Sequence, residues 1–199
     1  NNDSSLVDGK GIGDPTEYAL LEMYRKVPGI QVDEDTISLT ENQLRDALER
    51  MEEVPFDSDR KLMSTQYKIH GITTTFTKGA VDVLLDRCQS IRLDDGIHPM
   101  TPARKQKILD KNQEFSASGL RVLAFAYKEG DESLSKDTEY GFTFLGLISE
   151  MDPPRQESID AVTQAIKAGI RTIMITGDHK VTATAIARRI GIFEDGDLA

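Results

Sequence analysis

The sequence predicts an α/β chain in two styles: a strand-rich body flanked by helices, then the opening of a parallel, doubly wound sheet. Three observations carry this. Residues 62 to 77 alternate with period two on both sides of His70-Gly71, which reads as a β-hairpin. Leu120 to Tyr127 and Gly141 to Ile148 are apolar, β-rich runs, each of strand length. From Pro154 onward the pattern becomes helix, strand, helix: an amphipathic stretch to Ala168 carries Ile159, Val162 and Ile166 on one face and ends at Gly169. A continuously apolar run, Ile170 to Ile175, follows, and Val181 to Ile190 is again helical.

The remaining elements follow in order. Residues 1 to 13 are polar and Gly-rich and read as a loop. Gly9-Lys10-Gly11-Ile12-Gly13 lacks the G-x-G-x-x-G spacing and the preceding strand of a dinucleotide fingerprint. Asp14-Pro15-Thr16-Glu17 supplies a capping carboxylate, a proline at the first helical position and an acid three residues after the cap, so a helix starts there with Leu20, Met23, Tyr24 and Val27 on its apolar face. Residues 31 to 39 read as a loop or short strand. Thr40-Glu41-Asn42-Gln43 then opens a second helix with Leu44, Leu48 and Met51 at helical spacing, stopped by Pro55. After the hairpin a short helix covers Ala80 to Cys88, with Cys88 beside Val81, Leu84 and Leu85 on the apolar side, as a buried structural thiol. A loop leads to a longer helix begun by Thr101-Pro102 and ended at Gly119. Lys128 to Glu139 is an acidic loop. Paired prolines in Met151-Asp152-Pro153-Pro154 fix an extended connection, which divides the chain into domains at 1–150 and 151–199.

Composition narrows the function. The 199 residues carry a net charge of −10, which argues against broad binding to nucleic acid or anionic membrane, so any phosphate site must be local. No apolar run reaches membrane-spanning length and no signal peptide opens the chain, so direct membrane contact is not expected. One cysteine excludes an internal disulfide.

Several segments have chemical potential, each beside a plainer reading. No G-x-x-x-x-G-K-[ST] occurs, so a nucleotide would be held without a P-loop. Ile175-Thr176-Gly177-Asp178-His179 lies where an apolar strand of an open α/β sheet ends, the place where loops and helix N-termini collect phosphoryl groups. Read alone it is also an ordinary turn with Asp178 as a cap. Pro55-Phe56-Asp57-Ser58-Asp59-Arg60-Lys61 sets a ring able to stack on a base near a basic pair; the plain alternative is Phe56 in the core and Arg60-Lys61 as a solvated strand start. Phe76-Thr77-Lys78-Gly79-Ala80 puts a lysine at a strand end, next to a glycine that admits close approach to the backbone; a solvated turn lysine is the alternative.

In series, Gly13-Asp14-Pro15-Thr16-Glu17, Phe56 to Lys61, Lys78-Gly79-Ala80, Ser118-Gly119-Leu120-Arg121-Val122-Leu123, Met151-Asp152-Pro153-Pro154-Arg155 and Ile175-Thr176-Gly177-Asp178 resemble the signatures of P-type cation-transporting ATPases. The wording is most similar to type II calcium-transporting ATPases, with sodium-potassium and proton-potassium pumps as close relatives. The resemblance implies an antiparallel nucleotide-binding domain flanked by helices, followed by part of a phosphorylation domain of the haloacid-dehalogenase type. It implies ATP and Mg2+ as cofactors, with no metal ligand in this chain, and an aspartyl-phosphate intermediate on the cytoplasmic face of a membrane pump. The remaining phosphorylation, actuator and transmembrane domains are the implied partners. By motif, Phe56 would stack on adenine, Glu17 would lie by the adenine amino group, and Lys61, Lys78 and Gly79 would line the pocket. Arg121 would reach the phosphates and Leu123 would pack on the nucleotide. Thr176 and Gly177 would hold the transferring phosphoryl group, Asp178 and Arg155 would orient the nucleotide, and Asp152 would sit at the hinge.

Ser58 departs from the pattern, since relatives often carry a basic residue there. The D-K-T-G-T phosphoacceptor motif is expected before residue 1 and the G-D-G-x-N-D motif after residue 199, so the chain is expected to bind ATP without turnover. A free-standing haloacid-dehalogenase-type phosphatase would need a nucleophilic D-x-D-x-[TV] motif, which the sequence lacks. A pure interaction module would use the Leu44, Leu48, Met51 stripe for docking, against core packing. Transport of another cation, including magnesium, is the alternative within the family.

Overall fold

A computed structural model describes residues 2–7, 10–26, 45–151, 154–176 and 180–194. Val27, the expected loop or strand at 31–39, the helix start at 40–44, Asp152-Pro153 and Gly177-Asp178-His179 lie outside the described residues. The described chain forms two compact units, one within Asn1–Met100 and Ala124–Gly146, the other within Thr101–Leu123 and Leu147–Ala199.

In the first unit the Gly-rich stretch expected as a loop is a small hairpin. β1 (Ser5–Val7) pairs antiparallel with β2 (Lys10–Ile12). Asp14 then starts α1 (Pro15–Lys26) as its composition predicts. Its carboxylate accepts the Thr16 amide at 2.9 Å and its carbonyl accepts the Glu17 and Tyr18 amides. Gly13, at φ +113°, lets the chain pass Ser4: a Cβ there would stand 2.4 Å from the Ser4 hydroxyl.

The second predicted helix is largely overturned. Among the described residues of that segment only 45–47 are helical, and Met51 and Pro55 both belong to β3 (Arg50–Asp57). Among the described strands β3 is an edge, where a proline without an N–H is tolerated, and its pairing with β4 slips between Val54 and Asp57, around that proline. β4 (Leu62–Ile69) and β5 (Ile72–Gly79) form the predicted hairpin, closed by His70 at φ +50° and Gly71 at φ +82°, the two left-handed residues that a two-residue loop requires. α2 (Val81–Asp86) stops before Cys88, which instead opens β6 (Cys88–Leu93), buried and opposite Phe142. The segment expected as a loop is β7 (Gly96–Pro99), turned back on β6.

α3 (Pro102–Ala117) is capped by Thr101, whose hydroxyl accepts the Arg104 amide, and it ends at Gly119 with φ +75°, as its signals predict. β8 (Arg121–Glu129) and β9 (Phe142–Glu150) match the two apolar runs. Among the described residues the large sheet has seven strands in the order β3-β4-β5-β8-β9-β6-β7. It is mixed rather than purely antiparallel, because β6 runs parallel to β9. In the first unit Leu62, Met63, Leu84, Leu85 and Phe142 are fully buried and form the core. β4 and β5 are covered on both faces, and one face is polar: Ser64 bonds Thr77 at 2.7 Å and Gln66 bonds Thr75 at 3.1 Å. Hydrogen bonds of this kind offset the cost of burying such groups inside a sheet.

In the second unit α4 (Gln156–Lys167) and α5 (Lys180–Arg189) stand where the helical periodicity puts them. Arg189 of α5 donates to the carbonyl of Ser118 at the end of α3. The predicted strand from Ile170 to Ile175 does not form. No described segment pairs with it, and Ile175 is 94% exposed. A parallel strand exists only by the ladder a neighbour completes, so a strand-like composition alone is not enough.

Candidate functional site

The best-built candidate lies in the first unit, around the turn from β3 to β4 and the end of β5. Asp57, Leu62 and Gly79 share one row across three strands, with Phe56 one residue before Asp57 and Lys78 one residue before Gly79. Phe56 is 64% exposed, so it is not a core residue as its plain reading held. A large ring left in water at the rim of a sheet is available for stacking.

The turn 58–61 is wound by Asp57. Its Oδ1 accepts the amides of Asp59 at 2.9 Å and Arg60 at 3.3 Å, its carbonyl accepts the Lys61 amide, and Lys61 is left-handed at φ +57°. The Lys61 carbonyl in turn accepts the Ala80 amide at 3.0 Å, directly over Gly79. That approach needs glycine, since a Cβ at Gly79 would lie 2.1 Å from the Lys61 oxygen. Lys61 and Gly79 are thus joined through their backbones, with the Lys61 side chain exposed.

Lys78 is not a solvated turn lysine. It is buried at 6% exposure, and its Nζ meets Glu17 Oε1 of α1 at 2.5 Å. Glu17 Oε2 accepts the Asp3 amide at 2.9 Å and the Ser4 hydroxyl at 3.4 Å, so the N-terminal hairpin supports the carboxylate from the other side. Burial alone pushes the Glu17 carboxyl up, but the Lys78 ammonium, the Asp3 amide and the Ser4 hydroxyl together outweigh it and hold the group below its usual value.

Arg60 also departs from expectation. It is buried rather than solvated, held by Glu139 and by the carbonyls of Val54 and Pro55. Sequence reasoning passed over Glu139, Arg87 and Ser4. Arg60 and Glu139 are 79 residues apart, and no local pattern announces such a pair.

Asp57 bonds Lys136 at 2.9 Å; this ammonium, then the Asp59 and Arg60 amides, bring its carboxyl down to about 2. A group whose folded pKa is depressed adds stability above its unfolded value of 3.8 and loses it as pH falls through the folded value. Thermal unfolding followed by circular dichroism should therefore show a midpoint falling between about pH 4 and about pH 2, and Asp57→Asn should flatten that part of the profile. An unchanged slope in Asp57→Asn would remove Asp57 as the cause.

The other predicted residues are not gathered here. Arg121 and Leu123 open β8 within the second unit, where Arg121 lies 3.9 Å from Glu150. Arg155 is the exposed N-cap of α4. Thr176 lines a cavity of about 600 Å³ in the second unit with Ile166, Ile173, Lys180 and Ala187. Asp152, Gly177 and Asp178 lie outside the described residues. Among the described residues no three His, Cys, Asp or Glu side chains cluster to hold a metal ion, and no helix is long and apolar enough to cross a membrane.

A family model described as "P-type ATPase, cytoplasmic domain N" matches residues 1–157. The chain is 44% identical over 202 residues to calcium-transporting ATPase 1 of Lactococcus lactis, covering all of this chain and 22% of that protein. It is 44% identical over 197 residues to calcium-transporting ATPase 1 of Bacillus cereus, covering 98% of this chain and 21% of that protein. It is 40% identical over 204 residues to cation-transporting ATPase pma1 of Synechocystis, again covering 98% and 21%. The chain therefore spans about a fifth of the length of these relatives.

Proposed function

This chain belongs to the P-type ATPases, with residues 1–157 matching their cytoplasmic N domain, and from that premise we propose that it binds ATP for a cation pump. The observation that carries the reading is the exposed Phe56 ring beside a turn that leaves Lys61 exposed. Adenine presents a flat face and phosphates present charge. An uncovered ring and an exposed ammonium answer those needs. Phe56 stacks on the base, Glu17 lies by the adenine amino group, and Lys61, Lys78 and Gly79 line the pocket. Arg121 reaches the phosphates and Leu123 packs on the nucleotide.

Residues 151–199 are read as part of the haloacid-dehalogenase-like phosphorylation domain. There Thr176 and Gly177 hold the transferring phosphoryl group, Asp178 and Arg155 orient the nucleotide, and Asp152 forms the hinge. Phosphoryl transfer is mostly positioning and charge neutralisation, so gripping the base in one domain and presenting the acceptor in another is a reasonable division of labour. Mg2+, when bound with ATP, neutralises the charge on its phosphates. The acceptor aspartate belongs to another part of the pump, since this sequence has no D-K-T-G-T. Calcium is the proposed cargo, since two of the relatives are named calcium-transporting ATPases.

ATP titration followed by NMR tests the pocket. Binding in the millimolar range or tighter is expected, and Phe56→Ala should weaken it by about 1–3 kcal/mol, the value of one base on one ring. Absence of binding, or equal affinity after the substitution, would sink the assignment.

A further inference from the structure

The loop from 131 to 139 reads in sequence as an acidic spacer, yet the fold uses it as a strap across β3, β4 and β5. Thr73 donates to Asp131 at 2.6 Å, and Gln66 donates to the Glu132 carbonyl at 2.9 Å. Glu52 of β3 accepts the Ser133 hydroxyl and the Leu134 amide. Lys136 reaches Asp57, and a single 3-10 turn (Lys136–Thr138) leads to Glu139.

Glu139 is fully buried, at 0% exposure. One carboxylate oxygen accepts from the Arg60 guanidinium and the Ser64 hydroxyl, the other from Arg87 at 3.0 Å. Arg87 also lies over the Tyr140 ring, 5.2 Å from its centroid. A carboxylate taken wholly out of water is kept there only by such partners. Arg60, held by Glu139 through Nη1, donates from Nη2 to the carbonyls of Val54 and Pro55, immediately before Phe56. Arg60 is also the residue before Lys61. Two points of the strap thus hold the corner that carries the proposed stacking ring and phosphate cation: Glu139 through Arg60, and Lys136 through Asp57.

We propose that Glu139 is a positioning residue for the nucleotide site: through Arg60 it holds the corner from Phe56 to Lys61 in the shape that receives ATP. The proposal rests on the ATP-binding reading above. It touches no reacting atom, and its effect is on affinity.

The test joins amide hydrogen exchange to ATP titration in the 199-residue chain. Two amides report on the corner: Lys61, which donates to Asp57, and Ala80, which donates to Lys61. The amide of Met100, which donates to Gln89, reports on the distant β6–β7 hairpin. Glu139→Gln should speed exchange at Lys61 and Ala80, spare Met100, and raise the Kd for ATP about tenfold, as loss of a charge-assisted hydrogen bond does. Lys136→Ala removes a side chain that is 63% exposed, so it keeps the test open should Glu139→Gln not fold. It should raise the Kd about twofold to threefold. Unchanged corner exchange, or faster exchange with unchanged Kd, overturns the proposal while leaving wild-type ATP binding intact. Failure of the unsubstituted chain to bind ATP instead sinks the nucleotide reading, and with it any role of Glu139 in affinity.

Discussion

Replacing Gly79 by alanine is expected to destabilise the first unit by about 3–5 kcal/mol, near the upper end of single-substitution effects. Two costs combine. Gly79 has φ +154°, a conformation essentially reserved for glycine, and the new Cβ would meet the Lys61 carbonyl at 2.1 Å and Leu62 at 2.8 Å. The first contact is backbone on backbone, so no rotamer change relieves it. Either the β4–β5 ladder opens at its Leu62 and Gly79 end or the Lys61 turn unwinds. Gly71→Ala is the matched control: φ is +82°, but nothing lies within 4 Å of the added methyl. It carries only the left-handed strain, roughly 1–2 kcal/mol. Urea unfolding of the two variants separates packing from conformational strain, and equal losses would refute the close-approach argument. ATP affinity should fall with Gly79→Ala and hold with Gly71→Ala.

Lys78→Met is the second large effect, and its signature is in pH. The substitution keeps the side-chain volume but removes the cation that faces Glu17, leaving that carboxylate with only the Asp3 amide and Ser4 hydroxyl among its described side-chain partners. Breaking such a buried pair costs about 3 kcal/mol near neutral pH. In the unsubstituted protein the Glu17 pKa is lowered, so its contribution is present above the ordinary carboxyl value of 4.5 and is lost as pH falls through the folded value. Without Lys78 its ammonium no longer opposes burial, so the Glu17 pKa rises from its lowered value. The stability that Glu17 adds above the ordinary carboxyl value shrinks, and the slope of stability against pH flattens in this range. Glu17→Gln in the same chain should recover most of the loss, because an amide has no charge to strand. Denaturant titrations between pH 3 and 7 measure all three proteins; a Lys78→Met profile merely parallel to wild type would show that the pair is not coupled.

Some of this was legible in the residues and some was not. Asp14-Pro15 and Thr101-Pro102 announced their helices because caps act within one turn of chain. The 62–77 alternation and His70-Gly71 announced a hairpin because register and turn are neighbours in sequence. The β6–β7 reversal lies at Asp94-Asp95, with Leu93 paired to Gly96, and Asp94-Asp95-Gly96 is the turn-forming composition that marks it in the sequence. Leu48 and Met51, at helical spacing in the sequence, fall in a turn running into an edge strand, and the edge excuses Pro55.

By itself the sequence determined which short segments could meet a nucleotide, because ring, cation and glycine are properties of single residues, and their order from Asp14 to Thr176 placed the chain among P-type ATPases. Only the tertiary structure decided their states: Phe56 exposed, Lys78 buried on Glu17, Arg60 locked to Glu139, and Ile170 to Ile175 without a ladder. Exposure, ion pairing and strand pairing are set by what lies opposite a residue in space. For Lys78 and Arg60 the partners are 61 and 79 positions away.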